Sequence, residues 1–124
     1  MIMRTWRGAV RPEDADRYLD HQSGTGVREY RATPGNLGVL VLRRPAGDLV
    51  EVTTVSLWES MEAIRAFAGD DPAVARFYPG DDELLAEKDL HADHFEVVST
   101  DLDPGVLAQT RSTSAKAAPP ASEA

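Results

Sequence analysis

The chain has 124 residues, 42% of them apolar, which fits one domain with one modest core. Its 13 basic and 21 acidic residues leave a net charge of −8, which argues against nucleic acid and anionic membranes as partners, since both need a basic face. With no cysteine, the sequence excludes disulfides, thiolate nucleophiles, zinc ribbons and iron–sulfur clusters.

The opening MIMRTWRGAV is too short and too interrupted for a signal peptide, and no apolar run approaches a membrane span, so a cytoplasmic location is expected. Within it, bulky and small groups alternate. Ile2, Arg4, Trp6, Gly8 and Val10 share one face of a predicted strand. Pro12, Glu13 and Asp14 suit a helix start, and Ala15, Tyr18 and Leu19 continue it as an apolar stripe. The helix breaks at Ser23-Gly24-Thr25-Gly26 and resumes over Val27–Ala32. Thr33-Pro34-Gly35-Asn36 is a turn by composition.

Leu37–Arg44 and Leu49–Trp58 read as a hairpin joined by Pro45-Ala46-Gly47-Asp48. Ser60 caps a helix over Met61–Ala68, which buries Met61, Ile64, Phe67 and Ala68 and ends at Gly69. A helical turn is expected within Pro72–Tyr78 and a short helix over Asp82–Glu87. His91–Thr100 closes as the last strand. From Arg111 on the chain is small, polar and proline-containing, so 1–110 is read as the domain and 111–124 as a disordered tail.

The order βαββαβ predicts an α+β ferredoxin-like fold, a four-stranded antiparallel sheet with its helices on one face. The other face needs cover, and a second copy of the chain is the simplest cover, giving a homodimer.

The block SLWESMEAIRAFAG (Ser56–Gly69) after a hairpin resembles the strand-to-helix segment of the antibiotic biosynthesis monooxygenase superfamily, the dimeric α/β barrels. The Trp6-Arg7-Gly8 strand, EYRATPGNLG (Glu29–Gly38) and HFEVV (His94–Val98) agree with it, over roughly the first hundred residues. The resemblance implies a pocket of the kind that oxidises phenolic or polyketide-like molecules to quinones with O2 and without cofactor. The haem-degrading branch would imply an Asn, a Trp and a His near Arg7, Phe67 and Phe77. None matches, so haem degradation is not carried over.

Cofactor-free oxygenation asks for a base, donors that stabilise a substrate anion, and an apolar cavity. His94 is the candidate base, against the alternative of an exposed strand-end histidine. Arg4 and Trp6 could present a guanidinium and an indole N–H to an oxyanion; the alternative has Trp6 in the core and Arg4 paired with an acid at a dimer interface. Tyr78, in an irregular segment, could donate a proton or anchor its loop. Trp58 and Phe67 are taken as substrate-binding, although Trp58, at the end of its strand beside the helix cap, better suits packing that staples the sheet to the second helix. Tyr18 and His21 are assigned to the surface or packing of the first helix. His91-x-x-His94 lacks a third ligand in register, so no metal is expected. Asp70-Asp71 and Asp81-Asp82-Glu83 read as solvated charges, Arg43-Arg44 as edge protection, and Gly24-x-Gly26 as no nucleotide loop. A non-catalytic ligand binder and a non-oxidative cyclase or isomerase are the other functions open to this pattern.

Overall fold

The computed structural model describes residues 1–106. The expected tail from Arg111, and the last residues of the expected domain, lie outside the described residues.

Strand β1 (Ile2–Val10) leads through one 3-10 turn at Pro12–Asp14 into α1 (Ala15–Gly24) and α2 (Gly26–Ala32). The two helices are divided at the predicted glycine pair. Strands β2 (Asn36–Ala46) and β3 (Leu49–Trp58) form the hairpin, turning at Gly47, whose φ of 62° suits a residue without a Cβ. Helix α3 spans Met61–Ala68 as read from its stripe. Ser60 caps it by accepting a hydrogen bond from the Ala63 amide at 3.1 Å, and Gly69 at φ 97° closes it. Before β2, Gly35 at φ +91° brings its carbonyl to the Glu59 amide at 2.9 Å. A Cβ there would stand 2.5 Å from that of Ala63, so turn and helix meet where only glycine fits.

The last third departs from expectation. Residues 72–78 form no helix, and the short helix α4 is Asp81–Leu84, giving way to strand β4 at Leu85–Lys88 where helix was expected. The closing strand is two pieces, β4 and β5 (Asp93–Glu96), both antiparallel to β1. The break has a physical cause. The Trp6 indole donates to the Asp89 carbonyl at 2.8 Å, and residues 90–92 pair with the preceding loop instead of β1. Ala75 N–H reaches Leu90 O at 2.9 Å and Ala92 N–H reaches Ala73 O at 2.8 Å. The sheet therefore runs β2-β3-β1-β4, with β5 beside the other end of β1.

Register fixes the faces. Arg4, Trp6 and Val10 of β1 lie opposite Ser56, Thr54 and Val50 of β3, under the helices. Two apolar clusters form there. Val10, Ala15, Tyr18, Val52 and Leu84 pack at one end, and Tyr30, Trp58, Ile64 and Phe67 at the other. Between them the buried side chains are polar: Arg4, Gln22, Thr54 and Ser56.

Among the described residues no helix lies on the opposite face. Leu42 and Phe95 stand about half exposed there, beside an ion-pair network in which Glu51 receives Arg7 at 2.9 Å and Arg44 at 3.0 Å. Those guanidinium bonds hold the Glu51 carboxyl below its ordinary range.

Candidate functional site

The polar gap between the two cores is a cavity. Arg4 and Trp6 of β1 and Thr54 of β3 form its floor; Tyr18, Gln22 and Tyr30 of α1 and α2 form one wall, and Phe67, Arg76, Phe77, Tyr78 and Asp81 close it. Its volume of about 30 Å³ holds one or two waters.

Arg4 is 2% exposed, and among the described residues it makes no ion pair. β1 turns Arg4 inward, beneath the helices. Its guanidinium donates to Tyr30 Oη at 3.2 Å and to the carbonyls of Pro72 and Val74 at 3.4 and 3.3 Å. Nε is buried without a partner. A buried cation balanced only by neutral oxygens keeps most of its attraction for an anion. The Phe67 ring packs 5.6 Å from this guanidinium and 5.2 Å from that of Arg76.

Tyr78 lines the cavity, its hydroxyl buried and without a partner among the described residues. Burial pushes its phenol up to about 12, so it carries its proton and donates. Burial also raises Tyr18, and it raises Tyr30 against the opposing pull of Arg4. Trp6 lines the cavity and meets Phe77 edge-on, with centroids 6.0 Å apart.

His94 pairs with Arg4 across β5 and β1 but is not in the cavity wall; its Nε2 is buried without a partner. Burial first, and the neighbouring Arg4 second, lower its pKa and favour the neutral imidazole. Trp58 also departs from expectation. It is fully buried behind the wall, donates to Ser56 Oγ at 2.8 Å and packs 5.9 Å from Phe67, so it supports a lining ring and does not line the cavity itself.

Asp81, expected to be solvated, is buried on the cavity wall. One carboxylate oxygen meets His21 Nε2 at 2.8 Å and the other accepts the Tyr78 amide at 2.7 Å, so α1 holds the turn that carries Tyr78. His21 thus packs by a specific bond, and Tyr18 is buried as part of the wall. Gln22, Tyr30, Thr54 and Arg76 carry no reading from sequence, and Asp81 reads there only as a solvated charge. One signal was available: along the helix-facing row of β3, Val52 gives way to Thr54 and Ser56 before Trp58 resumes the core.

The family model described as antibiotic biosynthesis monooxygenase matches residues 1–77, and the chain belongs to that family. No curated protein sequence matches it. Among solved structures, an antibiotic biosynthesis monooxygenase-type protein of Bacillus cereus is 17% identical, with 82% of this chain and 97% of that chain covered and a TM-score of 0.59. The monooxygenase ActVA-Orf6 of Streptomyces coelicolor, solved with nanaomycin D, is 18% identical over 82% and 91%, with a TM-score of 0.53. The haem degrader MhuD of Mycobacterium tuberculosis, solved with two haems, is 24% identical over 83% and 100%, with a TM-score of 0.51. These likenesses bear on the fold.

Haem does not fit the cavity residues. Among the described residues no histidine lines the cavity, and burial keeps its tyrosines protonated, so no axial ligand for a haem iron is present there. Among the described residues no group of three or more His, Asp or Glu side chains could hold a metal ion, and no helix is long and apolar enough to cross a membrane.

Proposed function

We propose that the protein is a cofactor-independent monooxygenase that converts a small phenolic, polyketide-like substrate to a quinone, working as a cytoplasmic homodimer. The single observation that carries this reading is Arg4, a buried guanidinium without a carboxylate, set among aromatic rings on a cavity. Such a site favours the anion of an aromatic alcohol over its neutral form, and the anion is what can pass an electron to O2.

In the reaction, the hydroxyarene gives up its hydroxyl proton, the proton of the ring C–H that is replaced, and four electrons in all; the two protons leave in the water. One oxygen atom enters the ring as a carbonyl and the other leaves as water, so the balance closes with no external reductant. Arg4 holds the oxyanion, and the neutral Tyr78 hydroxyl donates a second hydrogen bond to it. His94 lies beside Arg4 but outside the cavity wall, so the proton reaches it through a bridging water; its lowered pKa leaves the imidazole neutral and able to take it at neutral pH. The cavity is narrower than a ring, so residues 72–80, which carry Phe77 and Tyr78 without helix or strand, must yield on entry. The sheet face opposite the described helices, with Leu42 and Phe95 exposed, is where the second subunit would sit.

Oxygen uptake with naphthalene-1,5-diol tests the reading. The expected product is the hydroxynaphthoquinone at one O2 per diol, and the expected effect of His94→Ala is loss of turnover. Uptake that survives His94→Ala removes His94 as the base, and a diol that binds but is recovered unchanged from air makes the protein a binder. Light scattering that shows a stable monomer at micromolar concentration removes the dimer.

A further inference from the structure

Four buried side-chain atoms have no hydrogen-bond partner among the described residues: Arg4 Nε, Gln22 Oε1, Tyr78 Oη and His94 Nε2. The first three belong to residues of one cavity, and they come from β1, α1 and the loop before α4. Buried polar atoms are nearly always paired, so three unpaired atoms on residues that line one cavity point to a polar occupant that would complete them.

The three differ in sign. Arg4 Nε can only donate. Tyr78 keeps its proton and is satisfied by an acceptor. Gln22 Oε1 can only accept. Gln22 is 8% exposed, and its amide nitrogen is already committed, donating to Thr54 Oγ1 on β3 at 2.5 Å. That bond turns the nitrogen toward the sheet and leaves the oxygen as the free end. An arene with one oxyanion satisfies Arg4 and Tyr78 and leaves Gln22 Oε1 unpaired in a dry site, where an unmade hydrogen bond costs most. An ammonium donor would meet the guanidinium groups of Arg4 and Arg76 in the same wall. A second, neutral hydroxyl meets neither objection.

We infer that Gln22 is a specificity-determining residue, reading a second hydroxyl on the substrate through its Oε1 while Thr54 fixes the amide. This rests on the proposed phenol-oxidising function and narrows its substrate to arenes with at least two oxygen substituents, one of them an O–H donor.

The test compares naphthalene-1,5-diol with 1-naphthol, which lacks the second hydroxyl, by anaerobic titration calorimetry on the whole protein. The diol is expected to bind ~10-fold tighter to the wild type, the scale of one hydrogen bond to a buried acceptor. In Gln22→Leu, which fills similar space, that ratio falls to about one, since the preference is a single hydrogen bond. Thr54→Val, which frees the amide to turn, reduces the ratio and serves if the leucine variant does not fold. Equal binding of the two compounds to the wild type overturns the inference, as does a ratio that survives in both variants or no binding of either compound at millimolar concentration. Oxygen uptake is read separately. Selective binding without uptake in air leaves Gln22 in its role and overturns the oxygenase reading. Uptake without selectivity does the reverse.

Discussion

Replacing Arg4 with methionine separates a catalytic charge from a structural staple. The guanidinium gives three hydrogen bonds, all long at 3.2–3.4 Å, to Tyr30 Oη and to the carbonyls of Pro72 and Val74. At the low end of the usual range they contribute about 0.5–1 kcal/mol each, so their loss costs about 1.5–3 kcal/mol. Against this, methionine removes a cation buried without a counter-ion, whose desolvation costs on the order of several kcal/mol. The two effects nearly cancel, and urea unfolding of Arg4→Met is expected within about 1.5 kcal/mol of the wild type. Transition-state binding has no such offset. Losing one charge-assisted hydrogen bond to the developing oxyanion costs about 1.5–3 kcal/mol, a fall of roughly 10- to 150-fold in kcat/KM with naphthalene-1,5-diol. Arg4→Lys keeps the charge without the fork and should fall in between. A folded Arg4→Met protein with kcat/KM within about twofold of the wild type would refute the anion-site argument. A loss of more than about 4 kcal/mol of stability would instead make Arg4 a staple of the 72–74 loop.

His94 should show in the pH dependence of stability. Its pKa is lowered on folding, so the unfolded chain binds the extra proton first. Its contribution is full above the unfolded value of about 6.5 and is lost as pH falls through the lower, folded value. Thermal unfolding between pH 5 and 7.5 should therefore show a rise in Tm with pH that flattens in His94→Phe; an unchanged slope would show that another group sets it. Gly35→Ala must place a methyl group 2.5 Å from the Ala63 Cβ at a φ of +91°. A loss of about 1–3 kcal/mol in urea is expected, and an unshifted midpoint would mean that turn and α3 separate easily.

How far the sequence could be read depends on how local the cause is. Helix α3 was legible to its end residues because its cap, stripe and terminal glycine are all carried within Ser60–Gly69. The β2–β3 hairpin and the break between α1 and α2 were legible for the same reason. The closing strand was not. Its division depends on the Trp6 indole reaching Asp89 and on the 73–75 loop reaching 90–92, contacts between segments far apart in the chain. Residues 85–87, set as helix by composition, became strand because β1 offered an unpaired edge.

The site divides along the same line. Period-two alternation alone determined that Arg4 and Trp6 share a face, and chain membership in a known superfamily was carried by local blocks such as Ser56–Gly69. Which face turned inward was decided by packing. Once the helices covered that face, Arg4 was buried without an acid, Trp58 was drawn into the core, and Asp81 was taken out of water between His21 and the Tyr78 amide. Gln22 gave no signal on its own, because a glutamine in a helix is ordinarily solvated. Only the tertiary structure set it against Thr54 with its oxygen free, since a hydrogen bond between residues 32 positions apart exists only after helix and sheet have met.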